Sequence, residues 1–238
     1  MGLEPQLHPS FFNYKYKVVF LLNKKEIQMS RMWQFFVDAT AKIIEEEGVE
    51  NVTARKIGDL AGYTSSTIYN YFDELSHLVF FASMRFLNPY LKELTEYIEK
   101  AKGPIEKYLS SWECFCKHSF NNPQIFHAIF IADLGKEANE LLKQYYTVFR
   151  NDLVELPEDI KMLVLEHDLS KRSKAMIREA IDEGILTLED MEKVNEITIF
   201  LWKGMLTTIL NNRLDYTPEE ATRVTMKYIR EITLKYLQ

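Results

Sequence analysis

In the segment "CFCKH", Cys114, Cys116 and His118 lie two residues apart, and thiols beside an imidazole suit zinc coordination or a redox switch. The spacing is weaker than the residue types. On a helix Cys114 and His118 share a face while Cys116 points elsewhere, and the two cysteine side chains diverge too far for an ordinary disulfide. No second ligand pair at zinc spacing follows, so the segment reads first as a buried Cys116 beside an exposed His118. A metal- or redox-responsive helical protein, or an enzyme, using Cys114, Cys116 and His118 is the alternative. "LEHDL" around His167 lacks metalloprotease spacing, and the sequence has no glycine-rich phosphate loop, nucleophile elbow or paired-carboxylate arrangement. The expectation is a protein that is not an enzyme and uses no cofactor or metal.

A second constellation is more informative. Thr53 to Leu78 reads "TARKIGDLAGYTSSTIYNYFDELSHL", with a glycine in mid-pattern, a run of hydroxyls, and two tyrosines bracketing an asparagine. Two short helices joined by a tight glycine-containing turn form a helix-turn-helix, whose second helix enters the DNA major groove. Ile57, Leu60, Ala61, Ile68 and Phe72 are expected to hold the two helices together, Gly58 to allow their close approach and Gly62 to permit the turn. That leaves Ser65, Ser66, Thr67, Tyr69, Asn70 and Tyr71 facing outward. Hydroxyls and phenols donate to phosphates, and asparagine can read adenine. Capping and packing would explain each residue singly, but poorly explain all of them together.

The elements that must position this cluster are helical. The 238 residues are 47% hydrophobic and 27% charged with only eight glycines and seven prolines, which favours long helices with short connections. An all-α fold is therefore expected. Lys24–Glu47 keeps helical apolar spacing through Ile27, Trp33, Phe36, Val37, Thr40, Ala41 and Ile44, and Gly48 ends it. Thr53 should cap Ala54–Ala61, Thr64 should cap Ser65–Tyr71, and Asp73 should cap a helix from about Glu74 to Ala101. Gly103-Pro104, Asn122-Pro123, Pro157 and Gly184 punctuate the later helices. "TLED" at Thr187 and "TPEE" at Thr217 begin the last two, the second as a true capping box. Residues 1–23, aromatic and apolar with Lys15 and Lys17 inside, read as a loosely ordered extension, with a DNA-tracking arm as the lesser alternative. Two cysteines, no apolar run of about 20 residues and no leader-like start suggest a cytoplasmic protein that does not span a membrane. The net charge of −6 argues against nucleic-acid binding over the whole surface and leaves a local site open.

The pattern T-x-R-x-I-x-x-L-A-G at Thr53–Gly62, followed by T-S-S-T-I-Y-N-Y-F at Thr64–Phe72, resembles the tetracycline-repressor (TetR) family of bacterial transcriptional regulators. The resemblance covers about Lys24 to Leu87; beyond it only the helical pattern and the length match. It implies an N-terminal DNA-binding head (24–73) and a larger helical ligand-binding and dimerisation domain (74–238). It also implies a homodimer on a double-stranded operator, acting as a repressor and released by a small-molecule effector. Carried over residue by residue, Thr53 and Arg55 would contact backbone or a base edge, and Thr64 would cap the recognition helix beside a phosphate. Ser65, Ser66 and Asn70 would face bases, while Thr67, Tyr69 and Tyr71 would bind phosphates or nearby base edges. One departure is Leu75, where the family often has a lysine. Lys24–Leu87 contains seven basic residues against nine acidic ones, so neutral donors must carry much of any phosphate binding.

The rest of the chain supplies two further expectations. Apolar residues between Val194 and Leu210 cover more than one stripe, which one-sided burial does not require. With the last helix they suggest a two-fold four-helix interface through Val194, Leu201, Met205, Ile209, Val224 and Tyr228. The aromatic-rich middle, with Trp112, Cys116, Phe126, Phe130, Tyr145 and Phe149 as candidates, is the expected lining of a ligand cavity, though a plain core explains most of it equally well.

Overall fold

The computed structural model describes residues 24–135, 138–154, 156–213 and 215–237. The readings made for residues 1–23 lie outside them. Among the described residues there are thirteen α-helices and no strand, and no helix is long and apolar enough to cross a membrane. The all-α expectation holds.

The head is built from α1 (Lys24–Glu47), α2 (Ala54–Ala61), α3 (Ser65–Ile68) and α4 (Leu75–Met84). Phe36, Val37, Ile43 and Ile44 of α1 recur at helical spacing and are buried, each worth about 1.5–3 kcal/mol relative to exposure. The same stripe continues to Ile27, which is exposed. Thr53 caps α2 by accepting the Lys56 backbone N–H at 3.3 Å, and Gly62 closes it in the left-handed region at φ 78°. α3 is shorter than its pattern suggests. A Ser-Ser-Thr start is a poor helix former because its hydroxyls bond locally, and after Ile68 the chain tightens into turns through Tyr71.

The single long helix expected from Glu74 to Ala101 is in fact two. Glu74, not Asp73, occupies the N-cap position, and after Met84 a 3₁₀ turn at Arg85–Leu87 leads into α5 (Asn88–Lys100). Pro89 supplies the reason: it lacks an N–H and its ring clashes with a preceding carbonyl, so it sits in the first turn of a new helix.

The body comprises α6 (Pro104–Asn121), α7 (Pro123–Phe130), α8 (Ala138–Val148), α9 (Asn151–Val154), α10 (Glu158–Val164), α11 (Leu169–Asp182), α12 (Leu188–Leu210) and α13 (Pro218–Lys235). α6 packs against α5, α11 and α13 and is buried almost all round. Its polar groups are matched: Tyr108 donates to Thr198 at 3.2 Å, Trp112 to Ser173 at 3.2 Å, and Ser119 accepts from Trp202 at 2.9 Å. Thr187 caps α12, and Thr217 with Glu220 forms the capping box of α13.

Head and body meet through an aromatic seam, beside the contacts of α4 with α7 and of Phe80 with His167. Phe81 of α4 lies 5.0 Å from Trp33 and 5.7 Å from Phe72 on the head side, and 5.8 Å from Tyr145 on the body side. Arg85 adds a second tie, pairing with Asp38 of α1 at 2.9 Å and lying 5.0 Å over the ring of Phe149.

The α2–α3 turn depends on Gly58, where an added Cβ would sit 2.7 Å from the Tyr63 carbonyl oxygen and 3.0 Å from the Ser65 nitrogen. Both are backbone atoms that cannot rotate away. Gly58→Ala should lower stability by about 1–3 kcal/mol in urea denaturation, despite alanine's better helix propensity. Unchanged stability would mean that the turn is looser than described.

Candidate nucleic-acid interface

α1 supports α2 from behind, Ile57 and Ile68 are buried, and Phe72 after α3 packs 5.7 Å from Phe81 of α4. Leu60, expected to join them, is instead 45% exposed, because at the end of a two-turn helix it faces away from α3. The opposite surface carries the polar cluster. Thr53, Arg55, Thr64, Ser65, Ser66, Tyr69 and Asn70 are exposed, and Thr67 is half-buried. Tyr71 is also half-buried, 5.8 Å from Phe36, so it serves packing as well as the surface.

Thr64 occupies the N-cap position of α3 but makes no side-chain cap to the backbone. Its hydroxyl instead lies 2.9 Å from those of Ser66 and Thr67. Three hydroxyls thus brace one another at the start of the helix. Fixed charge is scarce beside them. Lys56 pairs with Glu47, and Arg55 lies 3.8 Å from Asp59 in an exposed pair worth little. This arrangement presents neutral donors and acceptors, one amide and one exposed guanidinium.

Residues 36–79 match the family model for bacterial regulatory proteins of the tetR family. The chain is similar to TetR-family regulators over this N-terminal segment. It is 24% identical over 119 residues to an HTH-type transcriptional regulator, SAB2452, of Staphylococcus aureus, a match over 50% of this chain and 61% of that protein, so less than two thirds of the curated relative is spanned. The TetR-like fold extends through the body. RolR, solved with resorcinol, superposes with a TM-score of 0.55 over 89% of this chain and 97% of its own at 17% identity. FadR of Thermus thermophilus, a TetR-family repressor solved with lauroyl-CoA, gives 0.54 over 85% and 93% at 13% identity.

Within the body, a small cavity of about 40 Å³ lies between α5, α6, α10 and α11. Trp112 lines it with Tyr90, Phe115 and Met176. Phe130 lines a second, more open cavity beside His167 and Lys203. Cys116, Phe126, Tyr145 and Phe149 line neither. Cys116 and Phe126 are enclosed in the core, Phe149 lies under Arg85, and Tyr145 donates to Asp152 beside the seam. Sequence reasoning missed the most consequential member, Arg172, which lines the first cavity at 8% exposure. Among the described residues no carboxylate pairs with it; its guanidinium lies 5.2 Å over Phe130 and beside the Tyr90 phenol. The available signal was its place one helical turn before the apolar Met176. Burial pushes the Tyr90 phenol up to about 12, with the Arg172 charge pulling the other way. Burial likewise pulls the His167 imidazole below its ordinary range.

α12 and α13 present an apolar groove lined by Ile197, Phe200, Leu201, Met205, Val224 and Tyr228. Phe200 is 62% exposed, and a Cβ added to Gly204 would meet nothing within 4 Å, so this face is uncovered in the single chain. Ile209 is half-buried nearby. Val194 is a correction: it is fully enclosed in the protomer's own core, since it sits on the opposite side of α12 with Trp202 and Leu206.

The "CFCKH" segment divides as helical geometry requires. Cys116 is buried in the core, while Cys114 and His118 converge on Glu93 of α5. His118 is not exposed as expected: its Nε2 lies 2.5 Å from Glu93 Oε2 with the side chain largely covered.

Proposed function

We propose that this chain is a dimeric, cytoplasmic regulator that binds a double-stranded operator through the α2–α3 face, represses transcription, and is released by a small molecule in the body. The observation that carries the reading is the exposed cluster Thr64, Ser65, Ser66, Tyr69 and Asn70 on a helix-turn-helix whose Ile57, Ile68 and Phe72 are buried in the head. Residues 24–73 would read DNA, and 74–238 would hold effector and partner. Ser65, Ser66 and Asn70 meet base edges; Thr53, Arg55, Thr67, Tyr69 and the outer edge of Tyr71 meet the phosphate backbone. A single short helix reads few base pairs, so two heads on half-sites about 34–36 Å apart are required. The uncovered α12–α13 groove supports the pairing, because a lone chain would leave Phe200 and Tyr228 in water.

The cavity beside Arg172 supports an effector with an apolar body and an anionic group. A buried guanidinium without a carboxylate is costly, and an anion entering the aromatic cavity would relieve that cost. Head and body share Phe81, so a ligand that repositions the body also changes head spacing.

Three outcomes test the parts separately. In DNA-binding assays Tyr69→Ala weakens affinity across sequences, whereas Ser66→Ala and Asn70→Ala each cost about 1–3 kcal/mol and change base preference; wild-type affinity and selectivity in all three remove the assignment. Phe200→Glu and Met205→Glu are each monomeric by light scattering with helicity retained, and two folded dimers would place the interface elsewhere. Compounds that raise the melting temperature bind more weakly, by calorimetry, when operator is present, and Arg172→Met removes the binding of those bearing a carboxylate. Equal affinity with and without operator would contradict the coupling.

A further inference from the structure

Glu93 on α5 and Cys114 and His118 on α6 bring one carboxylate oxygen, one thiol sulfur and one imidazole nitrogen within 4.8 Å of one another. The arrangement follows from packing. Cys114 and His118 are four residues apart and so share a helix face, and that face lies against the α5 turn carrying Tyr90 and Glu93. We propose that Glu93, Cys114 and His118 bind a zinc-type divalent cation that staples α5 to α6, at a site apart from the operator surface and next to the cavity beside Arg172, with which it shares Tyr90.

The donor set is the argument for the ion. Thiolate, imidazole and carboxylate are the three side-chain ligands that zinc takes together, and three protein ligands leave a fourth position for water. Metal–ligand lengths of about 2.0–2.3 Å in a tetrahedron place donors about 3.3–3.8 Å apart. Glu93 Oε2 and His118 Nε2, now 2.5 Å apart, must part to reach that spacing, and the Cys114 sulfur lies within 4.8 Å of both. Glu93 is already divided suitably: Oε2 faces His118 Nε2 at 2.5 Å, and Oε1 accepts from Lys117. The ion would take Oε2 and Nε2, while Lys117 stays on Oε1 and orients the carboxylate from outside.

Burial, with the Glu93 and Glu113 carboxylates nearby, pushes the Cys114 thiol up to about 12 against the opposing charge of Lys117. Without metal it is a protonated, inert thiol. Coordination forms the metal–sulfur bond and releases that proton to solvent, so each ion bound releases one proton from Cys114. Cys116, on the other side of α6 and fully buried, takes no part. An ordinary ion pair of Glu93 with Lys117 and His118 needs no thiol at all, and that difference decides the experiment.

The test is a cobalt(II) titration of tag-free, full-length protein after chelator treatment and under reducing conditions. The expected result is one ion per chain, a near-ultraviolet thiolate-to-cobalt charge-transfer band, visible bands of four-coordinate intensity, and loss of all three on adding zinc. Cys114→Ser abolishes the charge-transfer band, His118→Gln and Glu93→Gln each weaken binding more than about tenfold, and Cys116→Ser leaves the spectrum unchanged. Far-UV circular dichroism checks the fold, and His118→Gln decides if Cys114→Ser does not fold. No thiolate band at excess cobalt, or an unaltered spectrum in the folded Cys114 or His118 variant, overturns the site and leaves only the ion pair.

Discussion

The packing of Phe81 is the constraint on which the rest depends. One ring on α4 is shared by Trp33 and Phe72 of the head and Tyr145 of the body, so neither region completes its core without the other. Close-packed interiors pass displacement on, because a ring held on both sides cannot move without moving its neighbours. Pro89, just beyond this helix, separates α4 from α5, while Arg85 between them holds Asp38 of α1. α4 thus links the α2–α3 turn to the body, the connection that the proposed switching requires.

The surface such a switch would move is chemically unusual for its task. With Lys56 committed to Glu47 and more acids than bases in the head, the DNA affinity proposed for this face would come from hydroxyls, phenols and an amide rather than from counterion release. Neutral donors act only at contact and are directional. The mutual bracing of Thr64, Ser66 and Thr67 supplies the order that such contacts need, at the expense of the backbone cap that Thr64 would otherwise make.

Local features were legible in the sequence. Gly58 and Gly62 marked the turn, Thr53, Thr187 and Thr217 marked helix starts, and the alternation of buried and outward residues around Ile57, Ile68 and Phe72 defined the polar face. Features made by tertiary contact were not. Nothing near Glu93 announces that it meets Cys114 and His118, 21 and 25 residues on, and Arg172 reads as an ordinary helix-surface charge until its neighbours are known. Val194 and Phe200 belong to one apolar helix, and only the packing of α6 and α13 separates the enclosed side from the open one. The break at Pro89 was written in the sequence and was overridden by the strong helical pattern on both sides of it.

Selection of bound DNA from a random-sequence pool, followed by sequencing, tests the central claim most directly. The account predicts an enriched inverted repeat whose half-sites lie one helical turn apart, with the preferred bases changed when Asn70 is replaced. No enrichment, or an enriched sequence without two-fold symmetry that is indifferent to Asn70, would contradict it.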